Sequence, residues 1–243
     1  VTPLCIDLFA GMFGFSAGWL ELGGRVIGFD IEHLPHHGPV PASAELVLQD
    51  VRTLDGAQFK NASLILASPP CQAYSYRAMP WKRAKALPPP SNELFDACFR
   101  IQSEASEAAG HHIPLIVENV KGAQPWVGRA KAHFGSFYLW GDVPAIMPWV
   151  GNKRMKSQIP AKGVKCPGND TFKITGQPCG KLTDPRYPSG GIKQPGHSGR
   201  AWFADPDVAG HLSSKSSARK AVSAQIAKIP EVLSRHIARS YWP

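Results

Sequence analysis

Leu64-Ile65-Leu66-Ala67-Ser68-Pro69-Pro70-Cys71-Gln72-Ala73-Tyr74-Ser75 decides how this chain is read. Its first half is a short apolar run without polar alternation, the pattern of a strand buried on both faces. Two prolines cannot continue a strand ladder and stop the run at once. A cysteine is thereby presented at the carboxyl end of the strand, where ligands and chemistry collect in open α/β sheets. Most cysteines are small buried hydrophobes. One held just past a strand by two prolines is placed as a nucleophile.

The flanking sequence repeats the strand pattern. Pro3 to Phe9 reads as a buried strand, Phe15 to Leu22 as a helix with Phe15, Trp19 and Leu22 on one face, and Arg25 to Phe29 as a second strand ending at Asp30. Glu45 to Leu48 is a third, Ser63 to Ala67 the fourth, and Ile113 to Val117 a fifth that ends at Glu118-Asn119-Val120. Between the last two, Asn92 to Ala109 reads as a helix opened by Ser91 or Asn92. Alternation of this kind predicts an α/β fold: a doubly wound, mostly parallel, Rossmann-like sheet with helices on both faces. Asp7, Asp30, Asp50, Cys71 and Glu118 recur where strands stop. Helix capping explains one or two such residues, whereas the set points to a shared cleft.

From about Gly141 the pattern changes to Gly, Pro, Lys and Thr without periodicity, and between Val150 and Arg200 ten Lys/Arg face two acids, Asp170 and Asp184. Ser216 to Ile226 and Pro230 to Tyr241 then read as two helices, the second with proline at its first turn. The expected organisation is a catalytic and cofactor-binding domain over residues 1–140, a small loop-rich subdomain over 141–215, and helices over 216–243 that return to the first domain. A net charge of +9 permits a polyanionic partner. Five cysteines, odd in number and irregularly spaced, do not form a disulfide framework and suit a reducing compartment. No apolar run is long enough for a membrane span, and no charged leader with a cleavage site is visible. A cytoplasmic chain away from membranes is expected.

The first strand-to-helix turn, Asp7-Leu8-Phe9-Ala10-Gly11-Met12-Phe13-Gly14-Phe15-Ser16-Ala17-Gly18, is glycine-rich, which lets a ligand approach the backbone. Tight packing selects the same residues, so the turn alone is weak evidence. Asp30 stands at the next strand end, where a carboxylate commonly binds ribose hydroxyls, and Asp50 at the third could accept from an adenine amino group. The three ends together describe a site for an adenosine-containing cofactor.

At this point the chain resembles the DNA cytosine-5 methyltransferase family, particularly its short phage-borne members. The resemblance rests on Asp7-Leu8-Phe9-Ala10-Gly11, Phe15-Ser16, Asp30, Asp50, Pro69-Pro70-Cys71-Gln72 and Glu118-Asn119-Val120, in the family's order. It covers the first 120 residues well and the last 30 moderately. It implies S-adenosylmethionine as cofactor, held by Asp7, Phe9, Gly11, Gly14, Phe15, Asp30, Ile31, Asp50, Val51 and Pro69, and double-stranded DNA as partner of a monomer. Cys71 is implied as the nucleophile at cytosine carbon 6 and Glu118 as the acid that holds the ring, with Gln72 and Ser75 shaping the loop over a flipped-out base. The Tyr76–Pro90 segment, with Arg77, Trp81, Lys82, Arg83 and Lys85, is expected to close on phosphates, and the basic Val150–Arg200 segment to recognise the target.

The chain departs from the family pattern in places. Phe13 stands where a second glycine is usual, which predicts a differently shaped cofactor turn. The family's arginine-bearing segment is not plain, and Arg129, Lys131 and His133 are the candidates for it. Lys181 to Arg186 echoes a later motif only faintly. Lys228, in Gln225-Ile226-Ala227-Lys228-Ile229-Pro230, occupies the place of an asparagine beside the cofactor. An ammonium there disfavours a sulfonium but favours a carboxylate, so carboxy-S-adenosylmethionine, giving 5-carboxymethylcytosine, is an alternative donor. Two other functions compete: a silent DNA-binding relative, and an enzyme acting on RNA or free nucleotide. Cys166, Cys179 and His197 lack the paired spacing of a zinc site, and no metal is expected.

Overall fold

Apolar runs form the strands that the sequence predicts, and parallel pairing unites them into one sheet. In the computed structural model, which describes residues 2–34, 37–75, 88–148 and 228–243, these strands are β1 (Leu4–Leu8), β2 (Arg25–Asp30), β3 (Ala44–Leu48), β4 (Leu64–Ala67) and β5 (Leu115–Asn119). Helices α1 (Ala17–Glu21) and α2 (Glu93–Ala109) intervene, and α3 (Gln124–Val127), β6 (Ala132–Phe134), β7 (Phe137–Gly141) and α4 (Glu231–Tyr241) follow. The sheet order is β3-β2-β1-β4-β5-β7-β6. β1 to β5 pair in parallel, and β7 runs antiparallel to both β5 and β6. This is a doubly wound, mostly parallel, Rossmann-like sheet with one antiparallel strand.

The β6–β7 hairpin is the element the sequence reading does not predict. Its strands are short, and its signal is the two-residue turn Gly135-Ser136, where Gly135 has a φ of 61°. β7 ends where Gly141 presses on β5: a Cβ there would lie 2.3 Å from the Leu115 carbonyl oxygen.

Period-two alternation sends each strand's side chains to opposite faces. Ile6 and Leu8 of β1, Ile65 and Ala67 of β4, and Leu115 and Val117 of β5 pack with Phe95, Cys98, Ile101 and Ala105 of α2 in one core. The other face carries Asp7, over which α1 begins. α4 docks on α1: Trp19 meets Trp242 at a centroid distance of 5.0 Å, and Arg235 Nε donates to Glu21 at 2.6 Å. Gly18 is the contact point, because a Cβ on it would lie 2.6 Å from backbone atoms of Arg235 and Ser234. The glycine that suggested ligand approach in the sequence therefore serves helix packing.

Two compact units are present, Val1–Pro148 with Ile229–Pro243 and Trp149–Lys228. The basic segment, the Ser216–Ile226 helix, the Lys181–Arg186 motif, Cys166, Cys179 and His197 lie outside the described residues, as does the Tyr76–Pro90 segment up to residue 87. Among the described residues no helix is long and apolar enough to cross a membrane, and no group of three His, Cys, Asp or Glu could hold a metal.

Candidate active site

The carboxyl edge of the sheet gathers the predicted residues in two halves on either side of the β1–β4 junction. On the β1 side the turn after Leu8 is left-handed at Phe9 (φ 67°), Gly11 (48°) and Phe13 (54°). Phe13 thus adopts a backbone shape that glycine takes freely and that costs other residues about 1–2 kcal/mol. Its ring explains why the shape persists: it is 4% exposed and fills the space over Gly28, where a Cβ would come within 2.6 Å of it. The Phe9 and Ala10 N–H groups both donate to the Phe29 carbonyl, at 2.8 and 3.0 Å. Gly11 N–H donates to Asp30 Oδ2 at 2.9 Å and Ile31 N–H to Asp30 Oδ1 at 2.8 Å. Asp30 therefore ties the β1 turn to the end of β2, with one further lone pair on each oxygen. Ile31 beside it is 71% exposed, an apolar surface at a strand end.

Asp7 lies beneath this turn, 1% exposed. Burial pushes its carboxyl up to about 7; the bond from Ser16 opposes that rise and the nearby Asp30 charge adds to it. Ser16 Oγ donates to Asp7 Oδ2 at 2.5 Å and so does not cap α1, whose first residue follows it. Gly14 and Phe15 are buried, and the Phe15 carbonyl accepts from Ser234 Oγ, which in turn accepts from Gly18 N–H. At the third strand end Asp50 accepts from the Arg52 backbone and guanidinium, as close as 2.6 Å, which holds its carboxyl below the usual range. Val51 is core, 1% exposed.

Across the junction, Pro69 is buried, Cys71 and Ser75 are half-buried, and Gln72 is exposed. Tyr74 and Ser75 N–H groups both donate to the Cys71 carbonyl, closing a turn around the thiol. Glu118 is half-buried near the end of the neighbouring strand β5, opposite Leu139 of β7. Cys71 differs from the other described thiols: Cys5 and Cys98 are fully buried, and burial pushes both well above the ordinary thiol range.

Sequence reasoning missed the residues that fix the Cys71 turn. Asn119, 1% exposed, donates through Nδ2 to the Pro69 carbonyl at 3.0 Å and accepts from Val120 N–H at 2.8 Å. The Tyr74 hydroxyl donates to Asn92 Oδ1 at 2.9 Å, and Asn92 Nδ2 donates to the Trp126 carbonyl. Gly122 abuts the loop, since a Cβ there would lie 2.3 Å from the Tyr74 carbonyl oxygen. A buried amide at a strand end was the available signal; the others depend on partners remote in sequence. Arg129, Lys131 and His133 are exposed, and His133 stacks on Tyr138 at 5.0 Å. Lys228 is half-buried and ends the second unit, so the expectation that it contacts the cofactor rests on the sequence alone.

The model of the C-5 cytosine-specific DNA methylases matches residues 4–125, which span all of these strand ends. The chain belongs to that family. No curated protein sequence matches it. Among solved structures it is similar to a protein described as an E. coli prophage-encoded DNA modification methyltransferase, at 26% identity over 52% of this chain and 35% of that one, with a TM-score of 0.38. It is also similar to Spodoptera frugiperda DNMT2, at 21% identity over 52% of this chain and 38% of that one (TM-score 0.37), and to the Entamoeba histolytica methyltransferase EhMeth, at 16% over 53% and 41% (TM-score 0.36). The chain thus spans less than half the length of each.

A cytosine-5 methylase needs an S-adenosylmethionine-type donor, and the residues present fit one. Asp30 retains acceptor capacity beside an exposed apolar Ile31, which suits a ribose and an adenine face. Ser68 Oγ, between the two halves, is the only buried side-chain polar atom among the described residues that lacks a hydrogen-bond partner.

Proposed function

We propose that this methylase transfers a methyl group from S-adenosylmethionine to carbon 5 of a flipped-out cytosine in double-stranded DNA, through a covalent adduct on Cys71. The observation that carries this reading is the pairing of β4 with β5, which gives Cys71 and Glu118 neighbouring strand ends across the junction from Asp7 and Asp30.

Each chain residue has a definite task. The Cys71 thiolate adds to cytosine carbon 6, forming a C–S bond and moving the ring's electron pair toward carbon 5. Glu118 holds nitrogen 3 and the exocyclic amine, and supplies the proton that balances charge developing on the ring. The bound cofactor supplies an electrophilic methyl carried on a sulfonium sulfur. Carbon 5 bonds to that methyl as the sulfonium sulfur lets it go and becomes a thioether. Water then takes the carbon 5 proton, the freed electron pair re-forms the carbon 5–carbon 6 double bond, Cys71 leaves as thiolate, and the nitrogen 3 proton returns to Glu118. Carbon 6 is out of reach within a stacked duplex, so the base must leave the helix. Gln72 and Ser75 border that base, and Asp7, Phe9, Gly11, Gly14, Phe15, Asp30, Ile31, Asp50, Val51 and Pro69 border the cofactor. Residues 141–215 are assigned to target recognition, between a 1–140 catalytic domain and 216–243, in a cytoplasmic monomer.

The test is mass spectrometry of nucleosides from DNA incubated with the protein and either S-adenosylmethionine or carboxy-S-adenosylmethionine. The reading requires 5-methylcytosine with the first donor. A 5-carboxymethylcytosine product confined to the second would transfer the assignment to the alternative donor and to Lys228. A stable adduct on 5-fluorocytosine DNA that Cys71→Ser abolishes is also required, and its absence supports a silent DNA-binding relative. Modification of RNA but not DNA overturns the substrate.

A further inference from the structure

Ser68 closes the β1–β4 ladder: its N–H donates to the Leu8 carbonyl at 3.2 Å, just past the last paired residues Leu8 and Ala67. Strand alternation therefore still governs it. Ile65 and Ala67 belong to the core under α2, so Ser68 shares the opposite face with Leu66, whose register partner is Asp7. Its hydroxyl oxygen is buried and makes no hydrogen bond among the described residues. Elsewhere the described chain satisfies its buried side-chain polar atoms, so this hydroxyl requires an account.

Its place suggests one. In open α/β sheets ligands bind where the strand order reverses, and here the reversal is the β1–β4 junction that Ser68 occupies. Asp7, Asp30 and Asp50 lie on one side of it, Cys71 and Glu118 on the other. Whatever passes between the two must pass over this junction. A sulfonium methyl is polarised, and its C–H groups seek an oxygen acceptor.

Building on the function proposed above, we propose that Ser68 Oγ is a positioning group for the transferable end of the cofactor, accepting from the sulfonium methyl. The hydroxyl has no partner among the described residues and gains one on binding. A serine selected only for folding gives the opposite signature, because removing it would weaken the resting chain.

Calorimetric titration of wild type and Ser68→Ala with S-adenosylmethionine and with S-adenosylhomocysteine, beside thermal melts of both proteins without ligand, tests this. Ser68→Ala is expected to melt at or above wild type and to bind S-adenosylmethionine about fivefold more weakly (about 1 kcal/mol). Its affinity for S-adenosylhomocysteine, which lacks the methyl, stays within about twofold of wild type. Unchanged S-adenosylmethionine affinity overturns the inference, as does an equal loss for both ligands or a lowered melting temperature. Wild type that binds neither ligand overturns the cofactor reading itself, and this inference with it.

Discussion

Asn119→Ala tests whether the Cys71 turn is held from β5. The amide makes two hydrogen bonds in a site 1% exposed, to the Pro69 carbonyl and from Val120 N–H. Truncation leaves the Pro69 carbonyl in a buried position without its donor, at a cost of about 1–3 kcal/mol. Val120 N–H is only part-buried and can recruit water, so the expected destabilisation totals about 2 kcal/mol. Catalysis suffers more. Pro69 lies two residues before the thiol, and a displacement of about 1 Å at a reacting atom costs on the order of a hundredfold in rate. The assay is the rate of covalent capture on 5-fluorocytosine DNA, run well below the urea midpoint of the variant. Capture should slow about a hundredfold, while S-adenosylmethionine affinity, whose proposed residues other than Pro69 lie away from this turn, falls far less than capture does. Capture within about threefold of wild type, with the urea midpoint lowered as expected, would refute the reasoning and make Asn119 a purely structural amide.

Gly18→Ala must separate α4 from α1, because the new Cβ meets backbone and not a side-chain tip. Urea denaturation should show a loss of about 2–3 kcal/mol, and a change below about 0.5 kcal/mol refutes the close-approach reading. Asp7 gives a pH dependence with a definite sign. Its carboxyl titrates at about 7 in the folded chain against an ordinary 3.8, so the unfolded chain releases this proton first and stability falls as pH rises between those values. Asp7→Asn should therefore match wild type near pH 4 and gain up to roughly 4 kcal/mol by pH 8; a constant difference across urea titrations at that pH series sinks the argument. Alkylation of the native protein, mapped by mass spectrometry, should modify Cys71 well before Cys5 and Cys98, whose burial keeps them as thiols. Equal labelling of Cys98 and Cys71 would count against reading Cys71 as the more accessible, nucleophilic thiol.

The parallel half of the sheet is legible because its signal is local. Each of β2, β4 and β5 is an apolar run ended by a polar residue, β1 is an apolar run interrupted only by Asp7, and burial on both faces leaves no other reading for runs this short. β6 and β7 escape because Ala132–Phe134 has only three residues and takes its strand character from pairing with β7. The site divides in the same way. Residue types and their order point to Asp30, Cys71 and Glu118, but the supports of those residues are set by distant partners. Gly18 is the sharpest case, since its meaning comes from Ser234, 216 positions later. The serine was nonetheless visible as a polar intruder on the apolar stripe of Leu233, Ile237 and Ala238.

The acidic residues expected to hold the cofactor are already engaged. Asp30 accepts two backbone N–H groups, Asp50 is clamped by Arg52, and Asp7 receives Ser16. Such bonds do not remove them from ligand binding, because a carboxylate has more acceptor sites than these contacts fill. They fix the edge of the sheet before any ligand arrives, so binding need not order it, and affinity is gained by what ordering no longer costs. The Cys71 turn follows the same logic through Asn119 and Tyr74. Both halves of the site are braced from behind by the chain's own polar groups. The junction between them, at Ser68, is where the described chain leaves a buried hydroxyl to be met by something else.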